Sequence, residues 1–296
     1  MARTKGAANR VQLIDREVVS TTASQEILHL SRNEKKTPLE QLVSNMRTQQ
    51  SYLDWIDSRH SLLQDAQKAA LKHGPGLKKL RGPKDATYRK YRWYAEQQAL
   101  LEAINGLEVF YKASLIALAT SIQQHISPQK IKGAVDAKVL WVAPQGLPLV
   151  ALIFEHRLFH DLEAVDEALK MLVNKGRYTP ANLKGPLIRQ VVAIQCVFQM
   201  RHTLSHNQGR VTNSDSAKFA ALGFRVQAGE VLDPGKDQLG IVIRDLIKTE
   251  ASDFTAWLLK ETAGVLKALP SVPSSTRTAI ESALGKHEDL DGVAWI

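Results

Sequence analysis

Apolar positions in this chain recur mostly at steps of three and four, so the pattern predicts helices separated by short breaks. The clearest case is the run from Leu187, where Leu187, Val191, Ile194 and Phe198 share one face with Ile188, Val192 and Val197 beside them. Pro186 suits a first turn and Gly209 a left-handed C-terminal cap, so this helix is expected from about 187 to 206 or 207. A second helix is expected from Thr37 to about Lys72 on the stripe Leu39, Leu42, Met46, Leu53, Ile56, Leu63 and Ala70. A third, 87–126, carries Leu100, Ile104, Leu107, Tyr111, Leu115, Leu118 and Ile122, with a kink or break at Asn105-Gly106. Further helices are predicted at 148–173 and 245–268, with a short one near the C-terminus.

Period-two signals are fewer. Residues 224–227 and 230–232 flank Ala228-Gly229 and predict a small β-hairpin, while 139–142 and 239–243 read as short strands. Residues 1–36 lack a sustained period and read as a flexible arm with a short helix near 24–30. The expected organisation is an arm (1–36), an accessory helix with a linker (37–84), a central helical domain (85–269) and a C-terminal tail (270–296). The fold class is mainly α: an antiparallel helical bundle with a hairpin insertion and an extra N-terminal helix.

Charge sharpens this picture because it is local. Of a net +9, most arises between Lys68 and Arg92, where Lys68, Lys72, Lys78, Lys79, Arg81, Lys84, Arg89, Lys90 and Arg92 face Asp85 alone. Tyr88, Tyr91, Trp93 and Tyr94 lie among them, and cations with aromatic faces suit a single-stranded nucleic acid. The competing reading is a solvated linker whose aromatics anchor the next helix in the core. No apolar run reaches the length of a membrane span, and the polar N-terminus lacks a secretory block, so no membrane partner is expected. Cys196 is the single cysteine, which excludes an intrachain disulfide framework and fits a reducing cytoplasm.

Candidate chemistry gathers at the end of the 187–207 helix. Gln195, Gln199, His202 and His206 form a polar stripe, whereas Arg201 extends the apolar row of Ile194 and Phe198 and must find acceptors there. The segment Arg201-His202-Thr203-Leu204-Ser205-His206, followed by Asn207 and Gly209, resembles the R-x(4–6)-H signature of HEPN domains, many of which are metal-independent ribonucleases. In that signature a polar residue follows the arginine, as His202 does here. One departure concerns regulation: in the subgroup silenced by adenylylation a tyrosine stands two residues after the histidine, where this chain has Gln208.

The resemblance implies a homodimer in which two signature helices build a composite cleft. There His206 would act as acid or base, Arg201 would stabilise the phosphate, and His202 and Asn207 would position them. The residue types suit the task, since a neutral-range imidazole moves protons and a guanidinium supplies fixed charge. RNA would be the substrate, Lys78, Lys79, Arg81, Lys84, Arg89, Lys90 and Arg92 would bind it, and no cofactor is needed. An antitoxin or other regulatory protein is a further expected partner, in a toxin or antiviral setting. Glu108, in the third helix, is expected either to receive Arg201 or orient His206, or to form an i,i+4 surface pair with Lys112.

Two other function classes remain open at this stage. A non-catalytic module of the same fold would bind RNA, a nucleotide or a protein. A metalloprotein would use His156 and His160 on one helix with His202 and His206 on the next, and a carboxylate from Glu155, Asp161 or Glu163. A Cys-based hydrolase is disfavoured because Cys196 lies among apolar neighbours.

Overall fold

The helical periodicity is realised in eight α-helices among the described residues of the computed structural model, which are 36–72, 85–135 and 149–296. They are α1 (Pro38–Lys72), α2 (Asp85–Ile122), α3 (Leu149–Glu155), α4 (Leu162–Val173), α5 (Pro186–Asn207), α6 (Asn213–Ala221), α7 (Leu239–Lys267) and α8 (Ser274–Leu284). Among these residues no helix is long and apolar enough to cross a membrane. The expected helix near 24–30, the strand at 139–142 and the linker cations Lys78, Lys79, Arg81 and Lys84 lie outside the described residues.

At its start α1 is closed by a reciprocal cap, in which Glu40 N–H donates to Thr37 Oγ1 at 3.2 Å and Thr37 N–H donates to Glu40 Oε2 at 2.8 Å. The bundle is arranged around α2, which packs against α1, α3, α4, α5, α7 and α8. The reason is its apolar row: Leu100, Ile104, Leu107, Tyr111, Leu115, Leu118 and Ile122 are all buried, at alternating steps that keep one face inward. Asn105-Gly106 does not break the helix. A Cβ at Gly106 would sit 3.0 Å from Leu42 Cδ1, so the glycine lets α1 lie close instead.

Opposite this row α7 contributes Ile243, Ile247, Ala251, Phe254 and Leu258. Its first residues, 239–243, were expected as a strand; they form helix because Ile243 and Ile247, one turn apart, both reach the core. Burial on one helical face here overrides the β preference of Ile and Val.

Three other expectations are corrected. Residues 148–173 do not make one helix: α3 ends at Glu155, and Asp161 caps α4 by accepting from Ala164 N–H at 2.7 Å. The hairpin at 224–232 does not form. Residues 229–232 pair instead with 209–211, through Val211 N–H to Glu230 O, Gly229 N–H to Val211 O and Leu232 N–H to Gly209 O at 2.8–2.9 Å. Residues 270–296 are no loose tail, since Val272, Ile280, Leu284, Leu290 and Val293 join the main core.

Two buried polar clusters tie the helices together. Glu250 of α7 is fully buried and accepts from the hydroxyl of Tyr178, from Tyr111 Oη at 3.3 Å and from Gln190 Nε2 at 2.6 Å. Arg177, also buried, stands 3.6 Å away. Burial pushes the Glu250 carboxyl above its ordinary range, against the pull of Arg177 and the hydroxyls. Nearer the outer end of α2, Glu96 takes Arg244 at 2.8 Å on one oxygen and Arg92 at 2.6 Å on the other. Arg92 also reaches Asp57 of α1 at 2.8 Å, which the Tyr88 hydroxyl shares.

Candidate functional site

The site is built at the C-terminal end of α5. That helix runs to Asn207, and its chain reverses through Gln208 and Gly209, both at positive φ (52° and 81°). The left-handed turn therefore begins one residue earlier than the glycine predicts. Gly209 N–H closes it by donating to Thr203 O at 3.1 Å, which satisfies a terminal carbonyl.

Arg201 leaves α5 on the side facing α2. Its Nε–H donates to Asn105 Oδ1 at 2.9 Å and lies 3.2 Å from Glu108 Oε1. Glu108 is thus turned into the bundle, only 13% of its side chain being exposed, and it does not serve as a surface partner for Lys112. Its second oxygen, Oε2, meets His160 Nδ1 at 3.0 Å. An ionised carboxylate can only accept, so this contact calls for the hydrogen on Nδ1 and leaves Nε2 free of it in the neutral ring. Glu108 Oε1 itself is a buried oxygen without a hydrogen bond, because the Nε–H beside it points to Asn105. The Nε anchor leaves both terminal nitrogens of Arg201 without a hydrogen-bonding partner among the described residues, on a side chain 28% exposed. A fork held by its stem and open at its tips is suited to a phosphate.

The histidines of the signature lie elsewhere on the helix. Five residues from Arg201 to His206 correspond to about 500° of rotation, which leaves them about 140° apart around the axis. His206 stacks obliquely on His202, with ring centroids 4.8 Å apart and planes at 48°, and both are exposed. Asn207 is held by Asp215 of α6, its Nδ2 donating at 3.0 Å, and Gln199 Nε2 donates to the same carboxylate at 2.8 Å. Asp215 completes a capping box with Thr212 and lies 4.0 Å from His202 Nε2. Burial alone pushes the Asp215 carboxyl up, but the Thr212 backbone and hydroxyl, the nearby His202 and the Asn207 amide outweigh it and hold it below the usual carboxylate range.

Within one chain, then, Arg201 is grouped with Asn105, Glu108 and His160, while His202, His206 and Asn207 are grouped with Gln199 and Asp215. Neither His160 nor Asp215 was assigned to these groups from the sequence. The second was legible, since Thr212-x-x-Asp215 has the capping-box spacing; the first depends on the break between α3 and α4, for which Asp161 was the signal. That break also takes His156 and His160 off a common helix, so the four-histidine arrangement does not form. Among the described residues no group of three or more His, Cys, Asp or Glu is placed to hold a metal.

Of the expected RNA-binding residues that are described, Arg89 and Lys90 are exposed, while Arg92 is already engaged by Asp57 and Glu96. Tyr88 is a packing residue, stacked on His60 at 3.6 Å, whereas Tyr91 and Tyr94 are exposed. Cys196 is half-buried on α5 and burial pushes its thiol up to about 11, so it is no nucleophile at neutral pH. Compared with protein-family models, with curated proteins and with solved structures, the chain matches none.

Proposed function

We propose that this chain is a HEPN-type, metal-independent endoribonuclease that cleaves RNA by attack of the 2′-hydroxyl on the adjacent phosphorus, leaving a 2′,3′-cyclic phosphate. The observation that carries the reading is at the end of α5: a guanidinium anchored through Nε with its fork open, followed five residues later by an exposed imidazole. Fixed charge for the phosphorane-like transition state and a group that can carry a proton are both things the reaction needs.

The separation of Arg201 and His206 around α5 is the reason for reading the active form as a homodimer. The exposed stripe Ile188, Gln195, His202 and His206 runs along the outer side of α5. By the HEPN resemblance two signature helices meet in the dimer, and the composite cleft between them draws on both chains. His202 and Asn207 then act as positioning residues, the latter steadied by Asp215. Arg89 and Lys90 supply phosphate contacts outside the cleft. A toxin or antiviral role in the cytoplasm, with a regulatory protein as partner, belongs to the same proposal.

A second reading, a non-catalytic module of HEPN-like fold that binds RNA, a nucleotide or a protein, is favoured by one observation: the Arg201–Glu108 contact is also what a purely structural ion pair makes. The experiment that separates them is RNA cleavage by the purified protein in EDTA, comparing wild type with Arg201→Ala and His206→Ala and analysing the product ends. The nuclease reading expects chelator-resistant cleavage with cyclic phosphate ends, lost in both variants while the fold persists. No cleavage of any RNA by wild type, or equal cleavage by His206→Ala, overturns it.

A further inference from the structure

Transesterification of RNA needs two proton transfers, and the signature supplies one histidine per chain. We propose that His160, oriented by Glu108, is the general base of the reaction and belongs to the same half-site as Arg201. The inference rests on the ribonuclease reading and names a residue that the signature does not contain.

Three observations converge. The Glu108 carboxylate is turned inward and spans the two residues, Oε1 beside Arg201 Nε at 3.2 Å and Oε2 beside His160 Nδ1 at 3.0 Å. That contact calls for the hydrogen on Nδ1, so in the neutral ring the lone pair sits on Nε2, in a side chain that is 46% exposed. Arg201 meets the other oxygen of the same carboxylate through Nε, and its terminal nitrogens have no hydrogen-bonding partner among the described residues. A carboxylate that holds an imidazole by one nitrogen and presents the other is the arrangement by which a weak base is oriented for proton abstraction. Here it stands next to the cation that would hold the reacting phosphate.

Other charged and titratable groups near the pair act differently. Asp161 is committed to the N-terminus of α4, and Arg157 to Glu167 at 2.6 Å. His202 lies on the outer stripe beside Asp215. His160 is therefore the imidazole that shares a carboxylate with Arg201.

The step balances as follows. Neutral Nε2 of His160 takes the 2′-hydroxyl proton, and the 2′-oxygen bonds to phosphorus. The bond from phosphorus to the 5′-oxygen breaks, and that oxygen leaves with a proton from His206 of the dimeric arrangement. Arg201 stabilises the charge on the non-bridging oxygens throughout. No oxidant, metal or other reactant enters.

The test is cleavage of a single-linkage RNA by the full chain across pH, comparing wild type, His160→Gly, Glu108→Gln and Arg201→Ala, with binding of the 2′-deoxy analogue measured in parallel. His160→Gly is expected to lose about 100-fold or more in rate, to lose the rise of rate with pH on the acidic side, and to regain part of its rate with added imidazole. Its affinity for the 2′-deoxy analogue is expected to be unchanged. Glu108→Gln, whose amide oxygen still accepts from Nδ1–H, is expected to keep the pH limb at a reduced rate. A His160→Gly enzyme within twofold of wild type, or one whose loss is not relieved by imidazole and leaves the pH limb intact, overturns the proposal. If wild type cleaves with dependence on Arg201 but not His160, this inference alone falls. If wild type cleaves nothing, the ribonuclease reading falls and takes this with it.

Discussion

Asp215 offers the most direct test of how the end of α5 is held. The carboxylate is 1% exposed. Its Oδ1 accepts from Gln199, and its Oδ2 accepts from Asn207 at 3.0 Å, Thr212 N–H at 3.0 Å and Thr212 Oγ1 at 2.9 Å. Replacing it by Asn leaves one acceptor oxygen for four donors, whichever way the amide is turned, and puts an NH₂ group against the rest. A hydrogen bond to a charged group contributes about 1.5–3 kcal/mol and an N-terminal cap about 1 kcal/mol. Some of the donors will find water, so Asp215→Asn is expected to cost about 3 kcal/mol in all. For a unit of this size, that lowers Tm by roughly 6–12 °C.

The pH dependence fixes the sign. The folded carboxyl is held below its ordinary value, so its contribution is fully present above the unfolded value of about 3.9 and is lost as pH falls through the folded one. Urea melts of wild type and Asp215→Asn at neutral pH should differ by the full amount, and the gap should narrow as the pH is lowered through the acidic range. A difference below about 0.5 kcal/mol at neutral pH, the range of an ordinary surface substitution, would refute the argument. So would a gap that stays constant with pH.

Further outcomes follow from the same geometry. Glu250→Ala leaves Arg177 buried without its carboxylate, and the Tyr111 and Tyr178 hydroxyls with only each other at 3.1 Å; it should cost about 3–5 kcal/mol by urea melts, with Glu250→Gln costing less because Gln190 and the hydroxyls retain an acceptor. Arg92→Ala should lower Tm without changing the salt dependence of RNA binding, because its guanidinium is spent on Asp57 and Glu96. Arg89→Ala with Lys90→Ala should do the reverse, reducing the slope of log K against log salt by about 2 in all for a duplex site, slightly less for a single strand, as filter binding would show. Native Cys196, its thiol pushed up to about 11, should react with a disulfide reagent at neutral pH far more slowly than the urea-unfolded chain.

Much of the helical framework was legible because burial imposes a period. The row from Leu100 to Ile122 and the span of α5 are written in the spacing of apolar residues, and that spacing has one helical solution. Stops were legible where a residue type has one use, as with Pro186 at a first turn. The strand signals at 239–243 and 224–232 failed for a physical reason. Runs rich in Val and Ile fit either a strand or a buried helix face, and 239–243 is helical because Ile243 and Ile247 find the core together. The 224–232 turn lacks a hairpin because 230–232 had a partner distant in sequence, 209–211.

The sequence by itself determined the residue types at the end of α5: a guanidinium on an apolar row, two imidazoles on a polar one, and the rotation that separates them. These follow from identity and spacing alone. Only the tertiary structure decided who meets them. Asn105 and Glu108 come from α2, His160 from the connection between α3 and α4, and Asp215 from the first turn of α6, at sequence separations of 96, 52, 16 and 8 residues across their hydrogen bonds. A local pattern constrains which face a side chain occupies, because neighbours three and four residues apart share it. The packing of one helix against another decides what stands opposite, and with it whether Glu108 is a surface charge or the bridge between Arg201 and His160.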